Sequence, residues 1–308
     1  MEIFHYNKNQ EGMVFETIIG SSKDGPGLRY VIYLKGCNFC CPWCSNPEGL
    51  SKTKELLLFP EKEKFTSKVL NSCLYGAIKL NSSGSSITNR KICEKCKTFD
   101  CVNVCYDSSR IKSGEVKKVE EIVSNILKYK RFFGKEGGVT LTGGEPTIQW
   151  EFMFELMKCL NQCNIHAALE TNGASPNLVE IFPYINLIIC DLKMINPEKH
   201  QYWTGFSNEQ VLKNIEMMYK SKVPFWIRIP IIPGINDSEE NLKETRKFLA
   251  PMRDFLKLEL IPYHQAGLKK WKGLAKEYSL PNIKPPSYND MLRYKRYFSD
   301  ANIMVIST

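Results

Sequence analysis

The sequence predicts an α/β fold, a parallel sheet flanked by helices and curled into a partial barrel, with a small cysteine-rich insert. Three observations predict it. From Val116 to the C-terminus, strand-length apolar runs alternate with stretches of helical period, and that alternation builds a parallel sheet with helices outside. Polar or charged residues fall at or near the C-terminal ends of nearly all those strands. A barrel gathers its functional groups there, whereas the alternative, an open doubly wound sheet, gathers them chiefly at one switch point. The third observation is compositional: residues 51–109 are rich in Lys, Ser, Asn and Cys and hold no long periodic segment.

The elements follow in order. Asp24-Gly-Pro-Gly-Leu-Arg29 marks a turn, and Tyr30 to Leu34 is the first apolar strand. Residues 1–50 and 110–308 are read as the barrel and 51–109 as the insert, whose short apolar run is Leu56 to Phe59. Val119, Ile122, Val123, Ile126 and Leu127 share one helix face. The strand Val139 to Thr142 leads to a helix over Phe152 to Gln162, then comes Ala167 to Glu170 and a short helix near Leu178. Asn186 to Leu192 is nearly all apolar, as a strand buried on both faces requires. A helix at Val211 to Lys220 precedes the strand Phe225 to Ile232, and Glu239 to Leu249 precedes Leu256 to Ile261. The last unit is Tyr288 to Phe298 followed by Ile303 to Ile306.

At 308 residues, 43% of them hydrophobic and 24% charged, the chain suits one large domain with a small appendage. Met1 to Gln10 is polar without an apolar signal core, and no run reaches membrane-spanning length. The expected location is therefore the cytoplasm, with no membrane partner. There thiols stay reduced, so 12 cysteines point to metal rather than disulfides. A net charge of +9 permits nucleic-acid binding without requiring it, and no nucleic-acid partner is expected. Lysines along Glu61 to Lys68, Lys117 to Lys135 and Lys269 to Lys276 mostly neighbour glutamates. They read as solvated faces, with docking to an acidic partner as the second reading.

The chemistry starts at Lys35-Gly-Cys-Asn-Phe-Cys-Cys-Pro-Trp-Cys-Ser-Asn-Pro47, where Cys37, Cys41 and Cys44 have Cys-x3-Cys-x2-Cys spacing. Three thiolates on a tight loop can hold three irons of a cubane cluster and leave the fourth open to a substrate. The competing reading is a zinc knuckle, for which Cys40 could supply a fourth ligand. Gly143-Gly-Glu-Pro146 follows a strand and opens a helix; its glycines let backbone approach a ligand and Glu145 could accept from an ammonium group. The plainer reading is a tight turn with a carboxylate at a helix start. Asp191, Lys193 and Arg228 place charge at the ends of apolar strands, either for a ligand or as an ion pair inside the barrel. Glu170, Thr171 and Asp191 offer oxygens for a cation, and the lone His264 is a structural residue or a ligand contact. Cys159, Cys163 and Cys190 read as packing residues and Cys40 as a bystander.

The cysteine loop, with Trp43 before its last cysteine, and Gly-Gly-Glu-Pro resemble the signatures of radical S-adenosylmethionine (radical SAM) enzymes. The order continues with Asp191-Leu-Lys193, Ile227-Arg-Ile-Pro-Ile-Ile-Pro-Gly234 and Pro262-Tyr-His264. With the Asp24 turn it is similar to the glycyl radical enzyme activating enzymes, from about Gly12 to the C-terminus. Lys270-Trp271 and Lys284-Pro-Pro286 look like the pyruvate formate-lyase activating enzyme. The insert, through Ile92-Cys-Glu-Lys-Cys-Lys-Thr-Phe-Asp-Cys-Val-Asn-Val-Cys-Tyr106, is similar to the activating enzymes of 4-hydroxyphenylacetate decarboxylase.

The resemblance implies a partial (β/α)6 TIM-like radical SAM barrel and an oxygen-sensitive, anaerobic oxidoreductase. A [4Fe-4S] cluster on Cys37, Cys41 and Cys44 would bind SAM. Trp43, Gly144, Asp191, Lys193 and His264 fall where family members contact SAM, with Ser45, Gly143, Glu145, Leu192 and Arg228 as further candidate contacts. A monovalent cation would lie by Glu170, Thr171 and Asp191. Asp24 would meet the glycine loop of a partner glycyl radical enzyme, a lyase or decarboxylase, and reduced flavodoxin or ferredoxin would supply the electron. The insert resembles a ferredoxin module in which the fourth cysteine of each run ligates the other cluster. Its first run is reduced to Cys73, which implies one auxiliary [4Fe-4S] cluster on Cys73, Cys93, Cys96 and Cys101. The alternative set is Cys93, Cys96, Cys101 and Cys105, and a structural zinc is the third reading. Two other functions compete with glycine activation: radical SAM chemistry on a small molecule or nucleobase, and a non-catalytic iron–sulfur or zinc interaction protein.

Overall fold

The computed structural model describes residues 6–64, 67–82 and 84–306. Part of the polar N-terminal stretch, the last two residues, and three residues of 51–109, two of them in the lysine-bearing stretch at 61–68, lie outside them.

The chain opens with strands β1 (Glu11–Ser21) and β2 (Arg29–Leu34). Residues 51–109 then hold β3 (Glu55–Leu58), α1 (Ser67–Asn71), β4 (Ile78–Leu80), β5 (Ser86–Thr88), α2 (Arg90–Cys93) and α3 (Asp100–Asn103). Strands β6 (Arg110–Ser113) and β7 (Glu115–Lys118) lead into α4 (Val119–Tyr129). Regular alternation follows: β8 (Gly138–Gly143), α5 (Trp150–Gln162), β9 (His166–Thr171), a 3-10 segment at Leu178–Tyr184, and β10 (Leu187–Asp191). Then come α6 (Pro197–Thr204), α7 (Glu209–Ser221), β11 (Phe225–Ile231), α8 (Glu239–Leu249), β12 (Leu256–Pro262), α9 (Leu268–Gly273), α10 (Tyr288–Ser299) and β13 (Val305–Ile306).

The main sheet runs β13-β12-β11-β10-β9-β8-β2-β1-β7. Every neighbouring pair from β2 to β13 is parallel, while β1 pairs antiparallel with β2 and β7. One contact shows that this sheet is curled. Three strands separate β11 from β2, so on a flat sheet they would lie about 19 Å apart at the usual strand spacing. Yet Arg228 Nη2 on β11 donates to the backbone oxygen of Lys23, just before β2, at 3.3 Å. The fold is the expected α/β partial barrel.

The helices earn their places by one apolar face each. On α5, Phe152, Met153, Leu156, Met157, Cys159 and Leu160 are buried, and they join a large core between sheet and helices. Cys163 and Cys190 pack on the same core. Serine caps start two helices: Ser238 accepts from Asn241 N on α8, and Ser287 forms a capping box with Asp290 on α10. Inside the barrel a smaller apolar cluster forms from Ala168, Leu187 and Ile189. The stretch 51–109 has its own small core of Leu56, Val69, Ile78, Phe99 and Cys101.

Two expectations need correction. No element was expected before Tyr30, yet β1 is the longest strand; most of it is exposed, so it carries no clear alternation. Leu127, expected on the buried face of α4, is 46% exposed because it sits at the rim of the apolar stripe.

Candidate active site

The cysteine loop leaves the C-terminal end of β2 and is pinned from four sides. Gly36 N donates to Gly49 O and Cys37 N to Leu50 O, at 2.7 and 3.1 Å, closing the loop on the turn that follows it. Cys40 N donates to Thr204 O at 2.8 Å, and Phe39 packs edge-on against His200, so α6 braces the middle. Cys40 Sγ bonds the same Thr204 oxygen, so this thiol fastens the loop. Trp271 Nε1 on α9 donates to Cys44 O at 2.8 Å, holding the far end. Gly144 closes the fourth side: a Cβ there would lie 2.3 Å from both Gly36 O and Gly49 O, so only glycine lets β8 approach this closely.

Above the loop lies a cavity of about 260 Å³. Cys37, Cys41 and Cys44 line it together with Trp43 and Ser45. The ends of the barrel strands supply the remaining wall: Thr142, Gly143 and Gly144 after β8, Glu170, Thr171 and Asn172 from β9, Asp191 and Lys193 from β10, and Arg228 from β11. The register explains the grouping, since Asp191 pairs with Arg228 and Arg228 with Glu259 across adjacent strands. Side chains at paired positions project to the same face.

Burial dominates the electrostatics. It pushes the Cys37 thiol up to about 12, aided by the Glu145 carboxylate, and raises Cys41 and Cys44 as well. Thiolates are therefore costly here unless positive charge arrives with them, which is what binding to metal provides. Lys193 Nζ lies 2.8 Å from Asp191 Oδ2. Burial alone would lower this ammonium, but Asp191 and the Cys41 sulfur outweigh it and hold it above its ordinary value. No three or more His, Cys, Asp or Glu among the described residues are gathered for a single metal ion. A cluster of several irons, each taking one thiolate, sets its ligands wider than one tetrahedral ion does.

Several expected contacts sit elsewhere. Glu145 is fully buried and absent from the cavity wall. Its carboxylate accepts from Thr147 N, Thr147 Oγ1, Thr171 Oγ1 and Asn172 N, so it locks the loop after β8 to the end of β9 rather than waiting for an ammonium. Leu192 is buried off the wall, its N–H spent on Arg228 O. His264 is exposed, with Nδ1 accepting from Ala266 N, and does not line the cavity. Asp24 is bonded by Ser21 Oγ and touches the wall only indirectly, through the Lys23–Arg228 bond.

Glu170, Thr171 and Asp191, expected to offer oxygens to a cation, are each engaged with protein groups. Arg228 Nη1 bonds Glu170 Oε1 at 2.8 Å, Thr142 Oγ1 holds Glu170 Oε2, and Thr171 Oγ1 donates to Glu145. Arg228 Nε also bonds Glu259 Oε2 at 2.5 Å, and Glu259 is 1% exposed with Oε1 unpartnered. Sequence reasoning missed Glu259, Thr142 and Asn172. The signal for Glu259 was a lone carboxylate at an inward position of an apolar strand, in step with Ile261.

A second chamber lies in the stretch 51–109. Cys73, Cys93, Cys96 and Cys101 line it with Phe99, Ile78 and Arg110. Two sulfurs already accept backbone N–H groups, Cys73 from Ala77 and Cys96 from Phe99. Arg110 Nε is buried there without a partner, a cation beside four thiols. Cys105 stays outside, donating to Asp107 Oδ1 at 3.0 Å.

Residues 31–248 match the Radical SAM superfamily. The chain is 33% identical over 294 residues to the indoleacetate decarboxylase activating enzyme of Tractidigestivibacter scatoligenes, covering 91% of this chain and 93% of that protein. To the 4-hydroxyphenylacetate decarboxylase activating enzyme of Clostridium scatologenes it is 32% identical over 304 residues, 96% of each. In fold alone it is similar to SuiB of Streptococcus suis bound to precursor peptide SuiA, with a TM-score of 0.53 at 14% identity, over 90% of this chain and 48% of that one. With three thiols of the Cys-x3-Cys-x2-Cys loop facing the strand ends of a partial barrel, the chain belongs to the radical SAM superfamily and, within it, to the glycyl radical enzyme activating enzymes.

Proposed function

We propose that this protein reductively cleaves SAM and uses the 5′-deoxyadenosyl radical to take a hydrogen atom from a backbone glycine of a partner lyase or decarboxylase. The observation that carries this is the convergence of Cys37, Cys41 and Cys44 with the polar ends of β8 to β11 on one cavity. Cys37, Cys41 and Cys44 would hold the [4Fe-4S] cluster, which supplies the electron and an iron for SAM to bind. Trp43, Ser45 and the backbone at Gly143 and Gly144 would contact SAM, Asp191 and Lys193 would meet its charged ends, and Arg228 would orient it. Asp24 and its turn would face the partner's glycine-bearing segment. The barrel residues exclude water and fix geometry.

We assign residues 1–50 and 110–308 to the barrel and 51–109 to an iron–sulfur insert. Its auxiliary [4Fe-4S] cluster is assigned to Cys73, Cys93, Cys96 and Cys101. The separate small core and the shared chamber support this reading. A reduced flavodoxin or ferredoxin is the proposed electron source. The cytoplasm of an anaerobic cell suits a protein whose described cysteines are all free, and among the described residues no helix is long and apolar enough to cross a membrane.

The test is anaerobic reconstitution, reduction with dithionite, addition of SAM, and measurement of 5′-deoxyadenosine, followed by EPR of an added glycyl radical enzyme. Nucleoside product plus a glycyl doublet is expected, and Cys41→Ala should yield neither. Absence of nucleoside from the intact protein would refute the radical reading. Product with no doublet on 4-hydroxyphenylacetate or indoleacetate decarboxylase would favour a small-molecule substrate.

A further inference from the structure

The reaction needs two macromolecular visitors, and the cavity serves only one of them. The partner's glycine must reach the barrel mouth, while an electron must arrive from a carrier protein. The cysteine loop offers little surface for that carrier, because Cys41 and Trp43 are buried and the loop is covered by α6 and α9. The second chamber is different. Leu74 and Tyr75, next to Cys73, are 80% and 42% exposed. Tyr75 itself lines the chamber. Lys91 and Lys95 flank Cys93, and Lys97 follows Cys96; all three are exposed and form no ion pair among the described residues. Lys112 and Lys117, by contrast, share Glu115. An apolar and aromatic spot and three lysines outside any ion pair, with Glu94 the exposed acid between two of them, all lie next to cysteines of one chamber; a surface of that kind suits an acidic protein, since complementary charge steers the encounter and the apolar part holds it.

The same patch is wired to the cysteine loop. Arg90, in the helix that carries Cys93, turns its guanidinium inward to the backbone oxygens of Leu56 and Gly273. Gly273 ends α9, whose Trp271 holds Cys44 O. Arg90 and the end of α9, from Gly273 to Trp271, thus join the helix of Cys93 to the loop's last cysteine.

We propose that the face formed by Leu74, Tyr75, Lys91, Lys95 and Lys97 is the docking surface for an acidic one-electron carrier protein, and that the electron enters through the insert while the barrel mouth stays free for the glycine-bearing partner. This rests on the function proposed above. In the step itself the carrier would lose one electron to a cluster held by Cys73, Cys93, Cys96 and Cys101, with no bond made or broken.

Reduced and oxidised flavodoxin serve as the probe against the reconstituted full-length protein. Lys91→Glu/Lys95→Glu/Lys97→Glu should weaken flavodoxin binding, read by titration calorimetry, by about tenfold or more, and flatten its dependence on salt. Flavodoxin-driven SAM cleavage should fall with it, while dithionite-driven cleavage stays within about twofold, as expected for surface charges away from the site. A matched control, Lys220→Glu/Lys243→Glu/Lys247→Glu, makes the same change in net charge on α7 and α8 and should bind normally. Leu74→Asp, which leaves the lysines in place, should also weaken binding. Unchanged binding in the lysine variant, or an equal loss in the control, would overturn the docking site. No dithionite-driven product from the unaltered protein would instead refute the proposed function, and the binding comparison would still stand.

Discussion

Arg228 is the residue on which the barrel's interior charge balances. It stands between Glu170 and Glu259, both deeply placed, and burial alone would weaken its charge; the two carboxylates more than reverse that. Arg228→Leu removes the cation that stands between Glu170 and the buried Glu259. Loss of one partner from a buried pair costs about 3–5 kcal/mol, so urea denaturation of the variant should show a large fall in stability. Glu259→Gln keeps Arg228 paired with Glu170 and should cost clearly less. His166 gives a pH prediction at the same scale. Its Nδ1 faces Arg29 Nη1 at 3.0 Å, and burial, then the nearby guanidinium, lower its pKa below the ordinary 6.5. A depressed histidine leaves the unfolded chain binding more protons, so stability present above pH 6.5 is lost as pH falls towards the folded value. Thermal melts between pH 7.5 and 5 should show that decline, and His166→Gln should flatten it, with His200 supplying a residual slope of the same sign. At this scale the sequence pointed to residues of the cavity wall where a motif marks them, as at Cys37, Cys41, Cys44, Asp191 and Lys193. It was unreadable where a side chain's partner is distant. Glu145 sits in a recognisable motif, yet its direction depends on Thr171 and Asn172 on the next strand.

Among the elements, the junction of β2, the cysteine loop and β8 is the tightest. Gly143 takes a φ of +128°, and a Cβ on Gly144 would collide with two backbone oxygens rather than with movable side chains. Backbone cannot yield without carrying the loop along, so Gly144→Ala should displace the turn that ends at Gly49 and the cysteines it anchors. The expected outcome is a protein that still shows helix and strand by circular dichroism but takes up far less iron on the barrel cysteines. Normal iron content with normal SAM cleavage would show that the close approach is dispensable. The parallel strands were legible because burial on both faces makes them continuous apolar runs, as in β10 (Leu187–Asp191). Strand β1 was not, because only Gly12 and Val14 are buried and beyond Val14 it pairs on one side alone, which leaves no pattern in its sequence. Beyond the run at Leu56, the short strands and helices of 51–109 were equally silent, since none of them buries more than one residue.

For the whole molecule, the decisive fact is that two apolar cores are kept apart and joined by polar ties and by the pairing of β3 with β6. The barrel core and the core of 51–109 share no buried residue. Between them Lys35 Nζ and Lys276 Nζ both reach Glu55, and Arg90 reaches Gly273. A core as small as Leu56, Val69, Ile78, Phe99 and Cys101 cannot by itself offset the entropy of ordering its segment. Metal bound by the four chamber cysteines would supply that stability, because binding free energy and folding free energy are then the same quantity. It follows that Cys73→Ala should lose the insert's iron and also its fold, whereas the barrel should keep its own. The reconstituted protein should carry about eight irons, Cys73→Ala about four, and Cys105→Ala about eight. Limited proteolysis should open Cys73→Ala between residues 51 and 109 and spare the barrel. If Cys105→Ala sheds the iron and Cys73→Ala retains it, the ligand set is the alternative one, and the chamber lined by Cys73 is a packing feature only.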